Sequence, residues 1–181
     1  MGAESADGRG SSAPGPTHRV PEHLRQPGDG WVDCACGHRH WGLFGAAGLL
    51  LVRRSLDGTP TDIVLQHRAA WSHHGGTWGL PGGARQPDES AEQAALREAH
   101  EEAGIDAAAV GVRDTWLLQH PDWSYTTVIA DELVETVPTV TDAESDEVRW
   151  VPLDEIESLP LLPAFADAWP TLRARLTPAP A

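Results

Sequence analysis

Positive charge is scarce in this chain: Lys and Arg together number 13 against 27 Asp and Glu, a formal net charge of −14 over 181 residues. Such a surface repels a phosphodiester backbone, so a nucleic-acid polymer is not the expected partner, and a small anionic ligand would need a cation to help hold it. Cysteine is nearly missing. The two present, in Cys34-Ala35-Cys36, stand too close together for an ordinary disulfide framework. Long hydrophobic runs are missing as well. The longest, Leu43 to Val52, is far shorter than the ~20 residues of a spanning helix and leads into Arg53 and Arg54. It reads as a buried strand, and no membrane partner is expected. The N-terminal stretch offers no apolar segment suited to secretion, so the expected location is cytoplasmic.

What is present divides the chain. Residues 1–20, rich in Gly, Ser, Ala and Pro, are expected to form a disordered tail, 21–41 an N-terminal arm, 42–177 one folded domain and 178–181 a C-terminal tail. Strands are expected at Phe44 to Arg53, Ile63 to Arg68, Val110 to Gln119, Tyr125 to Glu132 and Val148 to Pro152, with Asp57-Gly58 turning the first pair. Ser90 and Gln93 form a capping box ahead of an alanine-rich helix that Gly104 stops. A second helix is expected from Pro163 to Leu176, kinked or restarted at Pro170. Without a strict βαβ rhythm, this mixture is α+β in class, an αβα sandwich with a mixed sheet.

The chemistry concentrates on the first helix. At about 100° per residue, Glu98, Glu101 and Glu102 share one arc, with Arg97 on its flank and His100 on the far side. Like charges at those spacings repel, and Arg97 cannot reach all three in good geometry. A hard divalent ion such as Mg²⁺, with Mn²⁺ as a substitute, binds several carboxylate oxygens at once. Gly82 and Gly83 precede the helix and permit a backbone bend that exposes carbonyl oxygen to such an ion. The plainer reading, a solvated acidic face, competes with this one on the glutamates alone.

The full spacing weighs against the plainer reading. Gly83, five residues, Glu89, seven residues, then Arg97-Glu98-Ala99-His100-Glu101-Glu102-Ala103-Gly104-Ile105 resembles the Nudix box, with Ala99 where a bulkier aliphatic is usual. Trp-Gly-Leu-Pro-Gly-Gly, Trp78 to Gly83, and Glu147 to Ile156 resemble flanking parts of MutT-like members, so the likeness spans about Gly42 to Ile156. It implies a Nudix-type αβα sandwich and Mg²⁺-dependent hydrolysis of the pyrophosphate linkage in a nucleoside diphosphate derivative. Glu98, Glu101, Glu102 and the Gly83 carbonyl would hold the metal, one carboxylate would serve as base, Arg97 would orient the glutamates, and Glu89 would support them or bind a further metal. A later-loop acid, Glu144 or Glu147, is a candidate base.

For substrate, Arg68 is expected to meet phosphate and Trp71 or Trp78 to stack on a base, although tryptophan in a small sandwich is more often core. Trp-Gly-Leu-Pro-Gly-Gly favours a nucleoside triphosphate, including an oxidised one. Pro121 resembles a marker of ADP-ribose hydrolysis but reads equally as a turn. A noncatalytic nucleotide sensor is the alternative from another class. The family also makes a homodimer an expectation. Cys34, Cys36, His38 and His40 are all competent zinc ligands, but the usual C-x2-C spacing is missing, so zinc is disfavoured.

Overall fold

In the computed structural model, residues 26–72 and 74–177 are described; the expected tails at 1–20 and 178–181 lie outside them. The described chain begins with a hairpin, β1 (Trp31–Asp33) against β2 (Arg39–Trp41). It then turns at Gly42 and Gly45, both at positive φ, into β3 (Ala46–Arg54). This strand runs Ala46 to Val52 without an exposed residue, the pattern of a strand covered on both faces. It starts two residues later than expected because Phe44, 49% exposed, lies before the Gly45 turn.

β4 (Pro60–Arg68) returns antiparallel after the expected turn at Asp57-Gly58, but pairs with β3 only from Val52↔Ile63 to Arg54↔Pro60. Beyond that the two strands part. The gap is filled by β5 (Trp78–Gly79), bonded to β4, and β6 (Gly82–Ala84), bonded to β3. Between them the Leu49 N–H donates to the Pro81 carbonyl at 2.9 Å. The glycine-rich segment is therefore a wedge inside the sheet. β7 (Val110–Gln119) and β8 (Ser124–Glu132) form an antiparallel hairpin, β8 runs parallel to β3, and β9 (Ser145–Pro152) closes the other side along β4.

Helices cover the two faces. α1 (Ala91–Ala103) lies on one, with Ala94, Ala95, Ala99 and Ala103 buried with Leu49, Leu51, Val64 and Val128. α2 (Pro163–Leu176) covers the other, where Phe165, Trp169, Leu172 and Leu176 meet Leu50, Val52, Ile63 and Leu65. Both halves of the Ser90–Gln93 capping box are made, and Gly104 takes the left-handed conformation at φ +65°. The expected restart at Pro170 does not occur. Buried Phe165 and Trp169 before it, and Leu172 and Leu176 after it, seat one continuous helix on the sheet.

The described part of the arm, from Gln26, is tied to the domain: the Gly42 N–H bonds to the Gly30 carbonyl, the Leu43 N–H to Gly28, and the Gly28 N–H to the Gln86 side chain at 2.9 Å. The Trp123 indole N–H also reaches the Trp41 carbonyl at 3.0 Å.

Candidate active site

The alanine face of α1 decides how close the glutamates come to the wedge. With Ala94, Ala95, Ala99 and Ala103 fully buried toward the sheet, the helix settles beside β3 and β6. The next side chains round then meet Gly82 and Gly83. The Gly82 N–H donates to Glu102 Oε2 at 2.8 Å. A Cβ on Gly83 would fall 2.6 Å from Glu98 Oε1, so only glycine leaves the Glu98 carboxylate its room. Gly82 is restricted in the same way by the Ala47 carbonyl across the β3 pairing.

Arg97 ties the arrangement together. Its Nε and Nη2 form a two-pronged contact with Glu89 at 2.8 and 3.0 Å, while Nη1 reaches Glu98 at 2.8 Å and Glu101 at 3.1 Å. Nη2 also meets the Ala84 carbonyl at 3.0 Å. Glu89 in turn accepts the Gln86 N–H at 2.9 Å, and its carbonyl accepts from Arg85. Arg97 thus bridges Glu89, Glu98 and Glu101 through one guanidinium. Glu101 stands apart from the other two glutamates, with 45% of its side chain exposed at the rim.

The electrostatics separate the carboxylates. Arg97 hydrogen bonds hold Glu89 below its ordinary range against the cost of burial. Burial pushes Glu98 up to about 7, outweighing the attraction of Arg97, and the charges of Glu101 and Asp29 add to the rise. Burial also raises Glu102 well above its usual value, reinforced by Glu98 and Asp142 and opposed by the Gly82 N–H and Arg68. One buried and one largely buried carboxyl that both resist ionising, next to a glycine backbone, are a donor set suited to a hard divalent cation.

The remaining expected residues divide. Arg68, at the end of β4, bears on Glu102 and on Tyr125, whose phenol burial raises above its ordinary value. Trp71 is 60% exposed. Trp78 is corrected to a core residue: it is 6% exposed, packs with His67 and Arg149, and presents no open face for a base. Pro121 is in the tight turn closed by the His120 N–H and the Trp123 carbonyl. Glu147 is exposed and paired with Arg149 at 3.0 Å, and Glu144 gives its carbonyl to the Ala69 N–H. A loop acid not anticipated from the sequence, Asp142, is the one whose charge bears on Glu102. Thr139 and Thr141 bond to the last carbonyls of α1, and this docking carries Asp142 beside Glu102. Asp29 and Tyr125 were also unanticipated; both come from segments distant in sequence.

The family model for the NUDIX domain matches residues 42–174. The chain belongs to the Nudix hydrolase family. A Mycobacterium tuberculosis protein provisionally named 8-oxo-dGTP diphosphatase 3 is 51% identical over 160 residues, covering 84% of this Nudix chain and 72% of its own length. A nucleoside triphosphate pyrophosphatase/Nudix hydrolase fusion protein of Bifidobacterium longum is 51% identical over 158 residues; that match spans 86% of this chain but 33% of the fusion. Among solved structures, the M. smegmatis Nudix hydrolase RenU superposes with TM-score 0.74 at 46% identity, covering 85% of this chain and 99% of RenU. These likenesses confirm the expected Nudix fold and family.

Proposed function

We propose that this Nudix domain hydrolyses a nucleoside triphosphate, with an oxidised purine such as that of 8-oxo-dGTP as the favoured base, in a reaction that depends on Mg²⁺. The carrying observation is the pair Glu98 and Glu102, packed against Gly82–Gly83, the first held by Arg97 and the second by the Gly82 N–H. The similar Mycobacterium tuberculosis protein and a 41% identical segment of a Proteus vulgaris 8-oxo-dGTP diphosphatase support the substrate class.

Glu98 and Glu102, with Glu101 at the rim and the Gly83 carbonyl, would hold the ion. When bound, it would supply Lewis-acid polarisation of a phosphoryl group and a more acidic water. The chain's own contribution is order. Arg97 fixes Glu98 and Glu101, Gly82 fixes Glu102, and Arg68 adds positive charge on the Glu102 side, where a phosphate oxygen would be welcome. In the overall reaction, water adds to one phosphorus, one bridging P–O bond breaks, and a carboxylate of the cluster accepts the water's proton. Asp142 is an additional candidate for that acceptor beside Glu144 and Glu147.

The test is a panel of 8-oxo-dGTP, dGTP, ADP-ribose and a dinucleoside tetraphosphate with Mg²⁺, Mn²⁺ or chelator, following phosphate and pyrophosphate release. Preferred, metal-dependent turnover of the oxidised triphosphate is expected. Preference for ADP-ribose would overturn the substrate assignment, and binding without turnover of any member would favour a sensor.

A further inference from the structure

We propose that Cys34, Cys36 and His40 form a zinc site, separate from the glutamate cluster, with the fourth coordination position open to water. The missing C-x2-C spacing argues against zinc in the linear sequence, yet folding brings these three donors together. Cys34 and Cys36 occupy the turn between β1 and β2, closed by the Cys34 N–H to the His38 carbonyl at 3.0 Å and the Gly37 N–H to the Cys34 carbonyl at 2.9 Å. His40 comes back along β2, opposite Val32. Both sulfurs and a ring nitrogen of His40 lie within 4.8 Å of one another, and Cys36 Sγ is 3.2 Å from His40 Nε2. Tetrahedral zinc, with bonds of about 2.3 Å to sulfur and about 2.1 Å to nitrogen, separates its ligand atoms by roughly 3.5–3.8 Å, so only small side-chain adjustments are needed.

The donor chemistry is unlike that of the glutamate cluster. Two thiolates and an imidazole select zinc and other soft or borderline ions over Mg²⁺. The surroundings also resemble a built site more than a chance turn. The His40 ring stacks on Trp123, with centroids 4.4 Å apart and planes 9° apart, which fixes its orientation. The Ala35 N–H, between the two cysteines, donates to Asp122 at 2.7 Å. Asp122 and Trp123 belong to the turn joining β7 and β8, so that turn holds the ligand-bearing hairpin from outside, as supporting residues around a zinc commonly do. His38, the other histidine of the motif, is not one of the three clustered donors. Bound zinc would pin the hairpin tip, and the same arm carries Asp29, whose charge reaches Glu98.

The test uses the full chain, without a polyhistidine tag, stripped of metal under reducing conditions and reloaded with Zn²⁺ or Co²⁺. About one equivalent per chain should bind, and the Co²⁺ form should show thiolate charge-transfer absorption in the near ultraviolet. Cys36→Ser should weaken zinc by on the order of 100-fold or more, while Glu102→Gln, in the other site, retains the equivalent. Circular dichroism checks that each variant is folded. A wild-type chain that takes up no stoichiometric zinc, or a Co²⁺ form without thiolate absorption, overturns the proposal whether or not the cysteine variants fold. So does zinc that survives replacement of both cysteines.

Discussion

Two clusters of donor side chains sit at different depths of legibility in this molecule. Glu98 and Glu102 occupy one helix, so their separation in space is fixed by 3.6 residues per turn and can be read directly from their numbers. Cys34, Cys36 and His40 straddle a turn and a three-residue strand, where no such period applies and convergence depends on how the hairpin docks. The carboxylate cluster is held from within by Arg97, and the thiol cluster is held from outside by Asp122 and Trp123. A motif is readable when its own secondary structure sets the geometry, and hidden when tertiary contacts do.

The most severe way to break the first cluster is Glu102→Gln. The amide oxygen can still accept the Gly82 N–H, so the fold should persist while turnover falls by on the order of 100-fold or more. Steady-state kinetics beside circular dichroism checks it; near-normal turnover in a folded variant would remove Glu102 from the reaction. Arg97 is next. Every one of the 13 basic residues is arginine, and here the fork matters, because one side chain serves Glu89, Glu98 and Glu101 together. Arg97→Met strands buried carboxylates and should lower the unfolding free energy by about 3 kcal/mol in urea titrations near pH 7. Arg97→Lys should recover only part of that loss.

Proton competition sharpens the contrast between the clusters further. Glu98 is raised from 4.5 to about 7 in the fold, so the folded metal-free chain holds this proton more tightly than the unfolded one. Stability from this group is therefore greatest below about 4.5 and declines as pH rises toward 7, by up to about 1.4 kcal/mol per pH unit. Mg²⁺ needs the ionised form, so its affinity should fall as pH drops through 7, and Glu102, also raised by burial, should add to the fall. Calorimetric titration with Mg²⁺ between pH 6 and pH 8 reads this directly. An affinity unchanged across that range would mean that Mg²⁺ does not compete with a proton on Glu98.

Much of the sandwich was legible for the same reason as the glutamate helix. The buried run of β3, the Ser90 capping box, the Gly104 stop and the Asp57-Gly58 turn each carry a local signal, and each appears within two residues of its expected place. The β1–β2 hairpin gave no such signal, since its strands are three residues long and one reads Arg-His-Trp. Trp78 goes the other way. The sequence offers it beside Trp71 as a stacking platform, but the wedge between β3 and β4 draws its strand into the sheet and buries the indole, the commoner place for tryptophan in a small sandwich.

The smallest predicted effect concerns the loop acids, where sequence favoured Glu144 and Glu147 and the fold favours Asp142. All three lie in one acidic stretch, so charge alone cannot rank them. Docking does. Thr141 bonds by its N–H to the Glu102 carbonyl and by its hydroxyl to the Glu101 carbonyl, so the next residue, Asp142, is brought to the end of α1. Asp142 is further fixed by the Ser145 hydroxyl at 2.9 Å, itself bonded to buried Gln66 at 2.6 Å. Glu147, two residues farther along β9, projects into solvent beside Arg149. Asp142→Asn should therefore lower turnover by roughly tenfold if it takes the proton, and by a few fold if it only tunes Glu102, with the pH profile moved in either case. Glu147→Gln should change turnover by less than about twofold, as expected for an exposed pair. The reverse order of effects would mean that the loop moves on substrate binding and exchanges one acid for the other.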